Sequence, residues 1–163
     1  MATKQKNKIF LVSILIFIFF VLFLAFIIQY RLDHQPCKLC IYERVPYFLS
    51  ALLIIKILLF NKNEKITLLI ISLIFFISCL LSFYHFGIEQ GFFRESFACT
   101  TADIEKTLTK EDLLEELKNN NIISCKDVSF RILGLSLATI NTIFSLGLSV
   151  IFTKLFIDYG KNK

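Results

Sequence analysis

The sequence predicts an all-α membrane protein: a four-transmembrane-helix bundle with two outer loops and a short amphipathic helix in the second loop. Three observations carry that prediction. Of the 163 residues, 56% are hydrophobic and 19% charged, whereas a soluble domain averages roughly 45–50% apolar and about 25% charged. Residues 9–28, 66–86 and 132–153 contain no charge at all, and residues 45–60 contain only Lys56. None of these runs shows the polar face that a helix of a soluble bundle turns to water. The chain has too little polar sequence to stay solvated while disordered. Five glycines and two prolines are sparse punctuation for a soluble α/β enzyme. The length fits one domain, residues 1–163.

The first span is placed at 9–28. Lys4, Lys6 and Lys8 would suit the start of a signal peptide. The apolar core that follows, however, exceeds the ~7–15 residues of such a signal, and Gln29-Tyr30-Arg31-Leu32-Asp33 offers no small-x-small cleavage site. The segment is expected to stay as an anchor. An outer loop follows at 29–42. The second span, 43–60, is the shortest; crossing takes about 20 apolar residues, with Lys56 snorkelling from near the helix end. Pro46 fits best in the first turn of a helix, so this one starts either at 43 or just after Arg44. A short turn at 61–65 leads into the third span, 66–87.

The second outer loop, 88–131, contains the amphipathic segment 109–118. Thr109 and Asp112 form a weak capping box, and Leu113, Leu114 and Leu117 make one apolar stripe before Asn119-Asn120-Asn121 ends the helix. Such a helix lies on a membrane surface. Glu111, Asp112, Glu115 and Glu116 give anionic lipid no hold on it, so its leucines alone are expected to keep it there. The fourth span is placed at 132–155. Lys4, Lys6, Lys8, Lys62, Lys65, Lys154, Lys161 and Lys163 all fall on one side of this arrangement, and the long loop holds nine of the 13 acids. The positive-inside rule then puts both termini in the cytoplasm and both loops outside.

Five cysteines follow the same division. Cys37 and Cys40 lie in the first outer loop, Cys99 and Cys125 in the second, and Cys79 inside the third span, where it reads as a small apolar packing residue. The four loop cysteines face a compartment that permits disulfides. Two static staples are one reading. A Cys-x-x-Cys bridge, however, closes so small a loop that it stabilises little, and tight pairs of this kind are typically redox couples with a depressed thiolate pKa. The N-terminus of the second span and Arg44, four residues after Cys40, bring positive charge near the thiols. Haem attachment would need His after Cys40, where Ile41 stands. A four-cysteine zinc site is disfavoured because 25 residues separate Cys99 from Cys125. No metal is expected.

Gln35-Pro36-Cys37-Lys38-Leu39-Cys40-Ile41-Tyr42-Glu43-Arg44 resembles the signature of the disulfide bond formation protein B (DsbB) family of bacterial inner-membrane thiol oxidases. Two further blocks are similar to that family. One is Phe83-Tyr84-His85-Phe86-Gly87-Ile88-Glu89-Gln90-Gly91, leading to Ala98-Cys99-Thr100. The other is Cys125-Lys126-Asp127-Val128-Ser129-Phe130-Arg131, followed by Leu133-Gly134-Leu135-Ser136-Leu137-Ala138 and Asn141. The resemblance covers essentially the whole chain.

That resemblance implies two redox-active disulfides, Cys37–Cys40 and Cys99–Cys125. A periplasmic thioredoxin-fold partner (DsbA-like) would attack the second, with Cys99 taking the mixed disulfide and Cys125 released. Cys125 would attack Cys37, leaving Cys40 as a thiolate facing a membrane quinone, ubiquinone or menaquinone. Every exchange is thiolate attack on a disulfide. Arg44 and His85 are the implied quinone-binding residues. The implied setting is a bacterial inner membrane; the partners are the DsbA-like protein, the quinone pool and the bilayer, with no nucleic acid. The product is disulfide bonds in exported proteins. The amphipathic helix is expected to act as a latch that lets Cys125 swing between Cys99 and Cys37. Two alternatives fit less well. Vitamin K epoxide reductase-like enzymes place their Cys-x-x-Cys late in the chain, and a stapled four-span scaffold of the tetraspanin kind would carry a Cys-Cys-Gly block that is missing here.

Overall fold

The computed structural model describes residues 2–31, 36–60, 63–94, 125, 131–132 and 134–161. Cys99 and the segment 109–118 lie outside the described residues. The elements run α1 (Ala2–Arg31), α2 (Lys38–Tyr42), α3 (Val45–Phe60), α4 (Glu64–Glu89), β1 (Arg131–Ile132), β2 (Leu135–Ser136) and α5 (Leu137–Lys161). Among the described residues, three stretches are long and apolar enough to cross a membrane: Lys8–Arg31, Glu64–Glu89 and Leu137–Tyr159. The fourth expected span is shorter. Its helix α3 has 16 residues, which is about 24 Å at 1.5 Å per residue against a hydrocarbon core of about 30 Å.

Pro46 explains why that helix does not begin at 43. It has no N–H to give the Tyr42 carbonyl, and its ring crowds that carbonyl and restricts Val45. The i→i−4 bonding of α2 therefore ends with Glu43 N–H on Leu39 O at 2.9 Å, Arg44 N–H closes a tighter turn on Ile41 O at 3.1 Å, and Tyr47 N–H opens the next helix on Arg44 O at 3.1 Å. The fourth apolar run also starts later as a helix than its charge pattern suggests. β1 and β2 pair antiparallel with Ile132 opposite Leu135, and Gly134 between them takes φ +83°. Ser136 then caps α5, its Oγ accepting the Thr139 N–H at 3.2 Å. At the far end of α4, Gly91 takes φ +77°. Gly91 N–H reaches Ile88 O at 3.0 Å and Phe92 N–H reaches Gly87 O at 2.8 Å, the two bonds of a Schellman stop.

One face of each long helix is buried. Leu11, Ile14, Ile18 and Leu22 of α1 meet Ala51, Ile54 and Ile57 of α3, Leu68, Ile71 and Phe75 of α4, and Leu148 and Phe152 of α5. The three- and four-residue spacings are those of a single helix face. The opposite faces are no less apolar: Phe19, Phe20, Phe23, Leu52, Leu73, Ile77, Leu146 and Val150 are exposed. The serines of α3, α4 and α5 go inside instead. Ser50, Ser78, Ser82 and Ser145 are fully buried. This is the reverse of a water-soluble bundle and the arrangement a lipid solvent selects, where small polar residues sit between helices. Between α4 and α5, Ser72 Oγ lies 2.7 Å from Thr153 Oγ1, Ser78 Oγ lies 3.1 Å from Ser145 Oγ, and Ser149 Oγ donates to Ser72 O at 3.2 Å.

Candidate redox site

The site starts at the cap of α2. Cys37 adopts extended backbone (φ −64°, ψ 165°) and its Sγ accepts the Cys40 N–H at 3.2 Å. One helical turn brings the sulfurs of residues 37 and 40 to the same edge, and they stand 2.6 Å apart. Both thiols are free; Cys37 is buried, and Cys40 is half-buried and so the more open of the two. The two sulfurs differ in acidity. The Cys40 thiol donating to it, aided by His85, holds Cys37 down at about 5 although burial works the other way. The same hydrogen bond, seen from the donor, and burial push Cys40 well above the ordinary thiol range. The reduced pair is thus a Cys37 thiolate clasped by a Cys40 thiol.

His85 arrives from the last turns of α4, 48 residues away in sequence. Its Nε2 lies 3.5 Å from Cys37 Sγ, and its Nδ1 lies 2.7 Å from Glu43 Oε1. Glu43 occupies the break between α2 and α3. Its second oxygen accepts from Asn141 Nδ2 of α5 at 2.8 Å. Asn141 Nδ2 also reaches Ser82 Oγ at 2.7 Å, and Asn141 Oδ1 accepts from Tyr47 Oη at 2.5 Å. A continuous polar chain therefore runs Cys37–His85–Glu43–Asn141–Tyr47 through the interior and ties α2, α3, α4 and α5 together. Glu43 and His85 are both buried, and a buried charge of this kind persists only when paired and hydrogen-bonded. Glu89 stands on the other side of the imidazole, with Oε1 3.9 Å from Nε2 and Oε2 buried with no hydrogen-bond partner.

The structure brings Cys37, Cys40 and His85 together, and Cys125 packs in the same apolar cluster with Leu39 and Ile88. Cys125 is buried and disulfide-bonded. Arg44 is placed differently from the four-residue spacing that put its charge over Cys40. Its Nη1 donates to Gln29 Oε1 of α1 at 2.6 Å, and its guanidinium lies 5.3 Å above the Phe26 ring. The group that acts on the thiolate is His85. Cys79 is half-buried and free. Sequence reasoning gave no role to Glu43, Asn141, Tyr47 or Ser82. The signal was there for two of them: an acid and an amide inside otherwise apolar helical sequence are costly unless they meet a partner.

Residues 7–155 match the family described as "Disulfide bond formation protein DsbB". An uncharacterized protein of Rickettsia prowazekii (strain Madrid E) is 29% identical over 160 residues, which is 98% of this chain and 92% of that protein.

Proposed function

The chain belongs to the DsbB family and is a membrane disulfide-bond formation protein with disulfide oxidoreductase chemistry; from that premise we propose that it is a thiol:quinone oxidoreductase that reoxidises a periplasmic DsbA-like dithiol. The observation that carries this reading is the Cys37–Cys40 pair with the His85 imidazole 3.5 Å from Cys37. A thiolate stabilised in the reduced form makes the corresponding disulfide a stronger oxidant. The Cys37–Cys40 disulfide is therefore suited to take electrons from a second pair, which we assign to Cys99 and Cys125. The burial of Cys125 in one cluster with Cys37 supports that exchange.

In the proposed sequence the partner's thiolate attacks Cys99, and a mixed disulfide forms as Cys125 leaves. Cys125 then attacks Cys37, and Cys40 leaves with the electron pair of the broken bond. Each exchange breaks one disulfide and forms another, so only the last transfer needs an external acceptor. The rim of the site suits a quinone: Cys40 is the more open sulfur, and Ile41 and Tyr42 beside it are exposed apolar surface. Arg44 contributes one N–H to Gln29, and the other donors of its guanidinium are assigned to a quinone oxygen. Bound there, a quinone supplies a two-electron, two-proton acceptor. Both nitrogens of His85 are engaged, by Cys37 and Glu43, so we assign His85 to holding the thiolate and the site's proton. The proposed setting is the bacterial inner membrane with four crossings, the loops periplasmic and the termini cytoplasmic.

The deciding experiment is single-turnover oxidation of a reduced thioredoxin-like dithiol by the purified protein supplied with ubiquinone or menaquinone. Turnover is expected to stop in each of Cys37→Ser, Cys40→Ser, Cys99→Ser and Cys125→Ser, with a trapped mixed disulfide at Cys99 in Cys125→Ser. Oxidation that does not depend on quinone, or that survives Cys40→Ser, would overturn the reading.

A further inference from the structure

We propose that the reduced Cys37–Cys40 pair, together with His85, is a binding site for a borderline-soft divalent cation of the zinc type. Cys37 Sγ, Cys40 Sγ and a His85 ring nitrogen all lie within 4.8 Å of one another. Zinc takes thiolate sulfur at about 2.3 Å and imidazole nitrogen at about 2.0–2.1 Å, so two ligand atoms on a tetrahedral ion sit roughly 3.5 Å apart. The 3.5 Å between Cys37 Sγ and His85 Nε2 already matches such an edge. The 2.6 Å between the two sulfurs must open by about an ångström on the same geometry, and the edge from Cys40 Sγ to the ring nitrogen, within 4.8 Å, must settle to the same length as the first.

The outer contacts are those of a metal-binding histidine. Such a residue commonly donates its second ring N–H to a carboxylate, which fixes the tautomer and strengthens the ligating nitrogen. Glu43 Oε1 stands 2.7 Å from Nδ1 in that position, and Asn141 holds the other Glu43 oxygen. A second, independent observation is Glu89, whose buried Oε2 lacks a hydrogen-bond partner on a side chain whose Oε1 is 3.9 Å from Nε2. A buried carboxylate oxygen without a partner, on the Nε2 side of the imidazole, is a feature that a cation held by that nitrogen would satisfy. Two thiolates and one imidazole select zinc over calcium or magnesium, which prefer oxygen donors. The site disfavoured on sequence grounds used four cysteines; this one uses two and takes its nitrogen from α4.

Binding involves no electron transfer. Cys37 and Cys40 ligate as thiolates, the Cys40 proton and the His85 Nε2 proton are both released to solvent, and the freed Nε2 lone pair turns to the ion while Nδ1–H stays on Glu43. The disulfide form has no thiolates and is excluded, which makes the site open only in the reduced state. The chelate stands on geometry alone. Its consequence, that a bound ion holds the pair reduced and stops turnover, rests on the oxidase reading above.

The test is titration of the full-length, detergent-solubilised protein, reduced and carrying Cys79→Ser, Cys99→Ser and Cys125→Ser, with Co²⁺ as the probe ion. One ion per chain is expected, with a thiolate-to-cobalt charge-transfer band that Zn²⁺ displaces and that disappears when the pair is oxidised. Glu43→Gln is expected to weaken binding by about 10–100-fold, and Cys37→Ser to abolish the band. Absence of the band, or equal affinity in the reduced and oxidised protein, would overturn the proposal. Should the triple variant fail to fold, the unmodified chain is tested instead: zinc is expected to protect Cys37 and Cys40 against maleimide, and unprotected labelling overturns the chelate. Neither measurement contains quinone or a partner dithiol. Their failure leaves the oxidase reading standing, and failure of quinone-dependent turnover leaves the chelate standing.

Discussion

At the scale of single residues the asymmetry of the Cys-x-x-Cys pair is the main result. Two thiols three positions apart have the same intrinsic chemistry, yet the fold makes one a thiolate and the other its proton donor. Cys37 is the acceptor because it caps α2 and has the Cys40 N–H on its sulfur, the Cys40 thiol beside it and His85 behind it. The ultraviolet thiolate absorbance of the reduced protein is therefore expected to appear with a midpoint near pH 5, far below the usual thiol value of about 8.5. It should be missing over that range in Cys37→Ser, and His85→Ala should move the midpoint upward. A midpoint above pH 8 in the unmodified chain would refute the assignment. The same shift has a consequence for stability. A depressed folded-state pKa contributes stability that is fully present above the unfolded value and lost as pH falls through the folded one. The reduced protein should therefore gain stability over Cys37→Ser between pH 5 and about pH 8.5, and the two should converge below pH 5.

At the scale of elements, polar residues decide how the apolar helices meet. Asn141 of α5 contacts Glu43, Ser82 and Tyr47 at once. Asn141→Leu is expected to destabilise the detergent-solubilised protein by about 1–3 kcal/mol for each buried group left without a partner, read as a loss of thermal stability. A change within experimental error would mean that water or a rearranged side chain takes over these bonds. Gly87 makes a different point. A Cβ there would meet the Phe93 ring at 2.1 Å, and the Gly87 carbonyl receives the Phe92 N–H that closes α4. Gly87→Ala should cost about 1–3 kcal/mol as overpacking and displace Phe93 from its stack on Tyr84, which tyrosine fluorescence would report. These elements also show what a sequence makes legible. Runs without charge mark the three long helices because hydropathy acts locally, residue by residue. The start of α5 is harder to place because Leu133, Leu135 and Leu137 are equally apolar in a hairpin or a helix, and the deciding signals are Gly134 and the Ser136 cap. The cysteine pair is legible because its spacing is local. The partnership of His85 with Cys37 is not, since it depends on how the end of α4 sets against α2, and charge spacing along the sequence points to Arg44 instead.

At the scale of the whole molecule the proposed fourth crossing depends on a helix of 16 residues. Counted from Lys38, α2 and α3 together cover residues 38–60, about 35 Å at 1.5 Å per residue, which exceeds a hydrocarbon core of about 30 Å. The break at Glu43 and Arg44 then lies near one end of the crossing. Non-helical backbone at that depth is tolerated only where protein covers it. The cover is the polar chain itself: Glu43 is buried against His85 and Asn141, while Arg44 is held by Gln29 and Phe26 of α1. The interruption that sets the cysteine pair would thus also complete the fourth crossing, and site and topology should stand or fall together. With four crossings both ends of the chain share a side, and with three they are on opposite sides. In a cysteine-free chain, Lys4→Cys and Lys161→Cys should both resist a membrane-impermeant maleimide applied to the outside of intact cells and react after permeabilisation. Lys38→Cys, beside the site, should react without it. Labelling of only one terminus from outside would show that α3 does not cross. Lys62, just before α4, and Lys65, in its first turn, favour the four-crossing outcome, because basic residues at a short turn are retained on the cytoplasmic side.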